Sequence, residues 1–399
     1  MTEAVIVATA RTPIGRANKG SLVDWRPDDL SGLIIRALLD KVPQLAAEQI
    51  EDVIWGCGQP AGEAGTNIGR VAAVLAGVDA PGVTVNRYCS SSLQTIRMAA
   101  HAIKSGEGDL FVAGGVETVS RFRNGLADGG PGNPKFLDAT ARSAERANGG
   151  AGTWAPGSGL ADVYIAMGQT AENVVEIEGV TRAEMDAWAK RSQDRAVAAQ
   201  ESGFFDREIT PVPNADGTFV TKDDGPRAGT TLEKLAELKP AFRPDGSVTA
   251  GNACPLNDGA AAVVVMSDTK AKALGITPLA RIVSSGVSHL NPEIMGLGPI
   301  EACRQALGRA GLTIDDIDLV EINEAFAAQV IPSAKHLGIP SDKLNVHGGA
   351  IALGHPFGMT GARIMTTLIN GLQSTDGRYG LETMCVGGGQ GMAMVIERL

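Results

Sequence analysis

The sequence predicts an α/β protein with a mostly parallel sheet, built as two related halves that flank an inserted loop domain. Three observations carry this reading. Short, near-continuous apolar runs alternate with amphipathic segments, as buried strands alternate with covering helices. The order of elements in residues 1–119, completed by about residues 249–275, recurs in residues 276–399. Residues 120–248 break the alternation with stretches rich in Gly, Pro and Asn.

Taken in order, residues 4–10 are a short apolar run that reads as a buried strand. Asp28 or Asp29 is placed to cap a helix over 30–41. Residues 52–57 read as another strand, residues 83–86 lead into Cys89, and 93–104 have helical periodicity. Residues 110–115 are a strand with a Gly-rich end. In the insertion, Gly-rich pieces at 129–134 and 149–159 accompany a helix at 181–200, where Thr181 and Glu184 match a capping box. Residues 259–266 are an apolar strand, 300–311 a helix and 318–322 a strand. A Gly-rich turn containing His355 precedes a helix at 361–372, and a hairpin at 380–386 and 391–397 closes the chain. In such a pair of halves, each presents one helix N-terminus to a shared central site.

Composition narrows the function. Hydrophobic residues at 44% and charged residues at 20% describe an ordinary globular chain. A formal net charge of −10 argues against a nucleic-acid surface, which needs clustered Lys and Arg, but allows a local basic patch for a phosphorylated ligand. Cys57, Cys89, Cys254, Cys303 and Cys385 are too scattered for a disulfide framework and are expected as reduced thiols. No stretch has the features of a signal peptide or the ~18 apolar residues of a membrane span. Glu397-Arg398-Leu399 is not a peroxisomal address, so a cytoplasmic protein with no membrane and no nucleic-acid partner is expected.

Four pieces stand out as chemistry. In residues 86–94 (Asn-Arg-Tyr-Cys-Ser-Ser-Ser-Leu-Gln), Cys89 sits between a strand end and a helix start, where unpaired N–H groups and the helix dipole favour a thiolate. The same position also suits a small Cys that packs a turn. In residues 323–327 (Asn-Glu-Ala-Phe-Ala), Asn323 and Glu324 follow a strand, where open α/β sheets bind ligands, though Asn323 equally suits a helix cap. Residues 348–358, rich in Gly and Ala, present one imidazole, His355, just before Pro356. Residues 385–391 place Cys385 at a strand end before Gly387, Gly388 and Gly389, whose exposed N–H groups suit an oxyanion site or a simple hairpin turn. Metal binding is disfavoured, because no pair of Cys or His has C-x-x-C or H-x-x-x-H spacing. A dinucleotide or P-loop fingerprint is absent as well.

With residues 10–15 (Ala-Arg-Thr-Pro-Ile-Gly), 167–173 (Met-Gly-Gln-Thr-Ala-Glu-Asn), 249–253 (Thr-Ala-Gly-Asn-Ala) and 394–397 (Met-Val-Ile-Glu) in the expected order, the chain resembles the thiolase family over essentially its whole length. That family comprises the acetyl-CoA acetyltransferases and 3-ketoacyl-CoA thiolases. The resemblance implies a five-layer αβαβα fold and a CoA-dependent acyltransferase that cleaves or forms 3-ketoacyl-CoA, with coenzyme A as co-substrate and no permanently bound cofactor. It implies Cys89 as nucleophile, His355 as its base and Cys385 as a second acid/base. Asn323, through a water, and His355 would form one oxyanion hole, and the N–H groups of Cys89 and Gly387 the other. CoA contacts would come from Met167, Arg227, Phe242, Ala250, Cys254, Leu256, Ala325 and Phe326, and the assembly would be a homotetramer of two dimers with part of residues 120–248 at the tetramer contact. Ser92 departs from the family's usual Gly, Cys254-Pro255 from Ser-Gly, and Ala166 from the His of acetoacetyl-CoA-specific members. Ser92 therefore either points at the acyl pocket and limits chain length or turns away and hydrogen-bonds the first turn of the helix it begins. A ketoacyl synthase-type condensing enzyme is the nearest rival, disfavoured by Cys385 before the triple Gly; an inactive thiolase-like lipid-binding protein is the other.

Overall fold

In a computed structural model that describes residues 2–150 and 152–399, the first half holds β1 (Ala4–Arg11), β2 (Gly15–Arg16), α1 (Pro27–Asp40), β3 (Asp52–Gly56), α2 (Ile68–Ala76), β4 (Gly82–Val85), α3 (Ser91–Ser105) and β5 (Leu110–Thr118). The insertion contributes α4 (Leu137–Ala147), α5 (Met167–Glu178), α6 (Arg182–Glu201), the small hairpin β6 (Val212–Pro213) and β7 (Phe219–Val220), and α7 (Leu232–Ala236). There follow β8 (Asn257–Ser267), α8 (Asp268–Ala273), β9 (Ala280–His289), α9 (Gly298–Ala310), β10 (Leu319–Ile322), α10 (Ala327–Leu337), α11 (Ala350–Leu353), α12 (Thr360–Thr375), β11 (Tyr379–Val386) and β12 (Gln390–Arg398).

The strand order exposes the duplication that residue identity hides. Read outward from the centre, the first half is β1-β8-β5-β3-β4 and the second is β9-β12-β11-β10, with Leu344 bridged in parallel beyond it to Val320. In both halves the first two pairings are antiparallel and the outer ones parallel. The halves join where β1 meets β9, with Val5 opposite Arg281 and Ile6 opposite Ala280. The sheet is thus mixed rather than mostly parallel. Strands buried on both faces read as continuous apolar runs whatever their direction, so composition could not separate the two cases.

Apolar faces set the layers. Leu30, Ile34 and Leu38 of α1 bury against Val53, Trp55 and Val264 on one side of the first half-sheet. On its other side lie Leu93 and Ile96 of α3 and Ile364 and Leu368 of α12, which reach Ile54 and Val263 as well as Met384 and Met394 of the second half. Cys303 and Leu307 of α9 and Val330 of α10 cover the far side, over Val320, Leu381 and Val395. The result is helix, sheet, helix, sheet, helix. Each fully buried aliphatic side chain contributes roughly 1.5–3 kcal/mol of transfer free energy.

The central helices are positioned by close backbone approach. A Cβ on Gly56 would lie 2.6 Å from the backbone of Ser91 and Ser92, and one on Gly361 would lie 2.3 Å from Leu93 N. Small residues at these two points let the first turns of α3 and α12 press on β3 and on each other. Helix ends differ in detail from the sequence reading. The capping box on α6 is present, with Thr181 Oγ1 accepting from Glu184 N–H. For α1 the cap position is Arg26 with Pro27 first in the helix, so Asp28 and Asp29 lie inside the first turn and favour the dipole instead. The inserted segment is also more helical than its Gly-rich stretches suggest, and α5 and α6 pack on α10 of the second half.

Candidate active site

Cys89 lies on a strained elbow between β4 and α3. Tyr88 has φ +42°, in the left-handed region that a bulky side chain rarely adopts. Three hydrogen bonds hold the bend. Tyr88 N–H donates to Asn86 Oδ1 at 2.8 Å, Ser91 Oγ donates to Tyr88 O at 2.7 Å, and Arg87 N–H donates to Ser91 Oγ at 3.0 Å. The Arg87 side chain then reaches the other half, donating to Gln390 Oε1 at 2.6 Å while also holding Gln94 Oε1 at 3.0 Å. The Cys89 elbow and the β11–β12 hairpin are thereby locked together.

That hairpin brings Gly387 onto the sulfur. Burial pushes the Cys89 thiol up to about 11, opposed by the backbone N–H groups of Gly387 and of Cys89 itself. Cys385 and Cys254 are raised first by burial and then by the charge Cys89 would carry, so three thiols converge on one place. A Cβ on Gly387 would lie 3.4 Å from the Tyr88 ring and 3.8 Å from Met167 Sδ. Met167, Cys254, Ala325 and Phe326 belong with Cys385 to one apolar cluster. Phe242 adjoins it, edge-on to Phe326 with ring centroids 5.9 Å apart. Arg227, Ala250 and Leu256 are exposed and outside that cluster. Arg227 makes no ion pair among the described residues.

His355 is fixed on one side and free on the other. Its backbone N–H donates to Asn257 Oδ1 at 3.0 Å, and Nδ1 lies 2.6 Å from Thr360 Oγ1. Thr360 donates its own proton to Pro356 O at 2.8 Å, so its oxygen accepts from Nδ1–H. The lone pair is then on Nε2, which is buried without a partner among the described residues. Burial, then Arg363, holds the imidazole down to about 3. The imidazole is therefore neutral, with its free lone pair on Nε2.

Asn323 and Glu324, adjacent in sequence, have opposite fates. The Asn323 side-chain oxygen and nitrogen are both buried and unpartnered among the described residues. Its main chain is fixed, the N–H on Thr383 O at 3.0 Å and the carbonyl by Gln329 Nε2 at 2.6 Å. An orphaned amide held this firmly is suited to a ligand. Glu324 is fully engaged by Trp188 Nε1 at 3.0 Å, Ser192 Oγ at 2.5 Å, Asn345 Nδ2 at 3.0 Å and Ile351 N–H at 3.2 Å. It braces the turn before α11 and is not available as a base.

Residues 4–269 match the family model described as thiolase, N-terminal domain, and residues 276–398 the one described as thiolase, C-terminal domain. The chain belongs to the thiolase family. It is 44% identical over 411 residues to a β-ketoadipyl-CoA thiolase of Acinetobacter baylyi, covering all of both chains. It is 45% identical over 411 residues to a 3-ketoacyl-CoA thiolase of Cronobacter sakazakii, again over all of both. The crystal structure of the Bacillus anthracis acetyl-CoA acetyltransferase superposes with a TM-score of 0.85 at 40% identity, over 100% of this chain and 99% of that one. This thiolase is accordingly an acyltransferase, and the match along both halves favours that reading over a condensing enzyme. Among its described residues, no helix is long and apolar enough to cross a membrane. No group of three or more His, Cys, Asp or Glu there is arranged to hold a metal.

Some contributors were not singled out from the thiolase sequence. Thr360, which sets the tautomer of His355, is one hydroxyl among many and becomes visible only when α12 folds back. The Arg87–Gln390 link spans the two halves and has no local signal. Glu117 had one: it is a lone carboxylate at the end of the apolar run Leu110–Thr118.

Proposed function

We propose that the protein catalyses CoA-dependent thiolysis of 3-ketoacyl-CoA, and the reverse condensation, through an acyl-Cys89 intermediate. The observation that carries this is the meeting of Cys89 with the Gly387 N–H and the Cys385 thiol, with an unpartnered Nε2 on His355. In this scheme His355 takes the Cys89 proton as the sulfur attacks the 3-keto carbon. The tetrahedral oxyanion lies on the N–H groups of Cys89 and Gly387. Cleavage of the C2–C3 bond leaves an acetyl-CoA enolate, whose oxygen is held by His355, now carrying Nε2–H, and by Asn323 through a water. Cys385 gives its proton to C2, and its thiolate then deprotonates the incoming CoA thiol, which attacks the acyl-Cys89 thioester and expels the Cys89 thiolate; that thiolate recovers its proton from His355. Each preorganised donor of this kind is worth ~10²–10³ in rate.

In the same proposal Met167, Phe242, Ala250, Cys254, Leu256, Ala325 and Phe326 contact coenzyme A, and Arg227 faces its nucleotide end. CoA is a co-substrate and no cofactor stays bound. The N-terminal half is residues 1–119 with about 249–275, the C-terminal half is 276–399, and residues 120–248 carry CoA contacts and tetramer contacts in a cytoplasmic homotetramer. The relatives named for β-ketoadipyl-CoA and 3-ketoacyl-CoA direct the substrate search to 3-ketoacyl-CoA esters, including one with a carboxylate at the far end of the acyl chain. The test is CoA-dependent cleavage of such esters, monitored as loss of the 3-ketoacyl absorbance, beside Cys89→Ala. Turnover that disappears in the variant is expected; unchanged turnover would remove the nucleophile assignment.

A further inference from the structure

We infer that Glu117 is a positioning residue that ties the nucleophile elbow to the loop carrying the imidazole. Its carboxylate is 1% exposed and stands at the end of β5. One oxygen, Oε2, accepts from Gly58 N–H at 2.8 Å and from Gly358 N–H at 2.9 Å. The other, Oε1, accepts from Gln59 N–H at 3.1 Å and lies 3.8 Å from Cys57 Sγ. Gly358 is three residues after His355. Gly58, through its carbonyl, takes Asn86 Nδ2 at 3.1 Å, and Asn86 Oδ1 takes the Tyr88 N–H. A chain of direct bonds therefore runs from the His355 loop through one carboxylate to the residue before Cys89.

The geometry around it leaves no slack. A Cβ on Gly58 would lie 2.8 Å from Glu117 Oε2, and one on Gly358 would lie 2.8 Å from Gly56 O and 2.9 Å from Cys57 Cα. No Lys or Arg pairs with this carboxylate among the described residues; its partners are three main-chain N–H groups and one thiol. Burial raises it to about 7, against those backbone bonds. A bare buried carboxylate on three amides is costly to keep and is a poor stability device. It is a good distance-setter, because one rigid group accepts bonds from two loops of different halves at once.

The inference rests on the proposed roles of Cys89 and His355. The experiment uses the full-length enzyme, with Glu117→Gln and Glu117→Asp assayed against Cys89→Ala. Gln keeps the shape but turns an NH₂ group toward the Gln59 N–H or the Gly358 N–H. Asp keeps the charge but is one methylene short. Both variants are expected to lower kcat by about 10–100-fold, since ~1 Å of misplacement carries that cost. The KM for CoA should stay within about twofold, because its subsite is built on other elements. Carboxamidomethylation of Cys89 by iodoacetamide should change its pH profile in Glu117→Gln and move back toward wild type in Glu117→Asp. Circular dichroism and thermal melts show which variants are folded. If a folded Glu117→Gln keeps wild-type kcat and alkylation profile, the positioning role is wrong. If kcat and KM deteriorate together in folded protein, Glu117 is merely structural. If Cys89→Ala itself turns over, the underlying site assignment fails, independently of Glu117.

Discussion

At Cys89 the folded environment works against the charge that the chemistry needs. Burial holds the thiol near 11 and the imidazole of His355 near 3, so both are neutral at pH 7. A helix N-terminus and a strand end favour a thiolate, and burial opposes it. The thiolate fraction should then rise about tenfold per pH unit up to the thiol's pKa. Alkylation of Cys89 by iodoacetamide is expected to accelerate without a plateau below about pH 10, and acyl-CoA should block it. A plateau near neutrality would mean that a preformed ion pair exists. Among the five thiols Cys89 should still react first. Cys57, Cys254, Cys303 and Cys385 are pushed up as well, and of these only Cys254 is more than slightly exposed. At Cys385 the proposed role is proton transfer. Cys385→Ser should acylate Cys89 normally yet lose most thiolysis, because a hydroxyl is a far weaker acid than a thiol. Single-turnover acylation beside steady-state rates separates the two steps, and near-normal turnover would place the second acid/base elsewhere.

Between the central helices, Ser92 finds a partner far along the chain. Its hydroxyl is fully buried and accepts from Ala362 N–H at 2.9 Å, in the first turn of α12. The partner is thus not the first turn of its own helix but that of a helix in the other half. Removing such a bond typically costs about 0.5–2 kcal/mol. Ser92→Gly is expected to lower the melting temperature and leave the chain-length profile of kcat/KM unchanged; a gain confined to long acyl chains would show that the side chain limits the pocket. Elements with a strong local signal were legible in the residues themselves: the capping box of α6, the apolar runs of β1 and β8, the Cys89 elbow, and the Gly387 turn. What sequence could not supply was anything set by partners far along the chain. Strand direction is one such case, since β1 and β8 pair across the whole insertion. The orphaned amide of Asn323 is another, because only the finished fold shows that its side chain is buried without a partner while that of Glu324 is satisfied.

Across the whole molecule, two buried charge groups make opposite demands on stability. Arg11, at the end of β1, is wholly buried and pairs with Glu208 Oε2 at 2.7 Å and with both oxygens of Asp223, at 2.8 and 3.0 Å. Asp223 Oδ1 also accepts from Ile14 N–H at 2.7 Å, so the residue 10–15 motif fastens the first half to the insertion. Glu382 on β11 stands directly beside Glu321 on β10, and neither of its carboxylate oxygens has a hydrogen-bond partner among the described residues. Burial raises Glu382 well above the usual carboxylate range, and Glu321 up to about 8, despite Arg363 nearby. Both acids thus hold their protons in the native state at pH values where the unfolded chain has released them. Their contribution to stability is complete below pH ~4.5 and declines as the pH rises toward 8. Breaking the first group leaves two carboxylates without their cation, so Arg11→Met should destabilise the protein by about 3–5 kcal/mol. Replacing Glu382 removes an unsatisfied buried acid, so Glu382→Leu should stabilise it by about 1–3 kcal/mol and flatten the fall in stability between pH 5 and 8. Thermal melts of both variants across that range decide the matter. A Glu382→Leu protein that melts lower than wild type, with the same pH slope, would mean that the acid is satisfied in solution and holds β10 and β11 together after all.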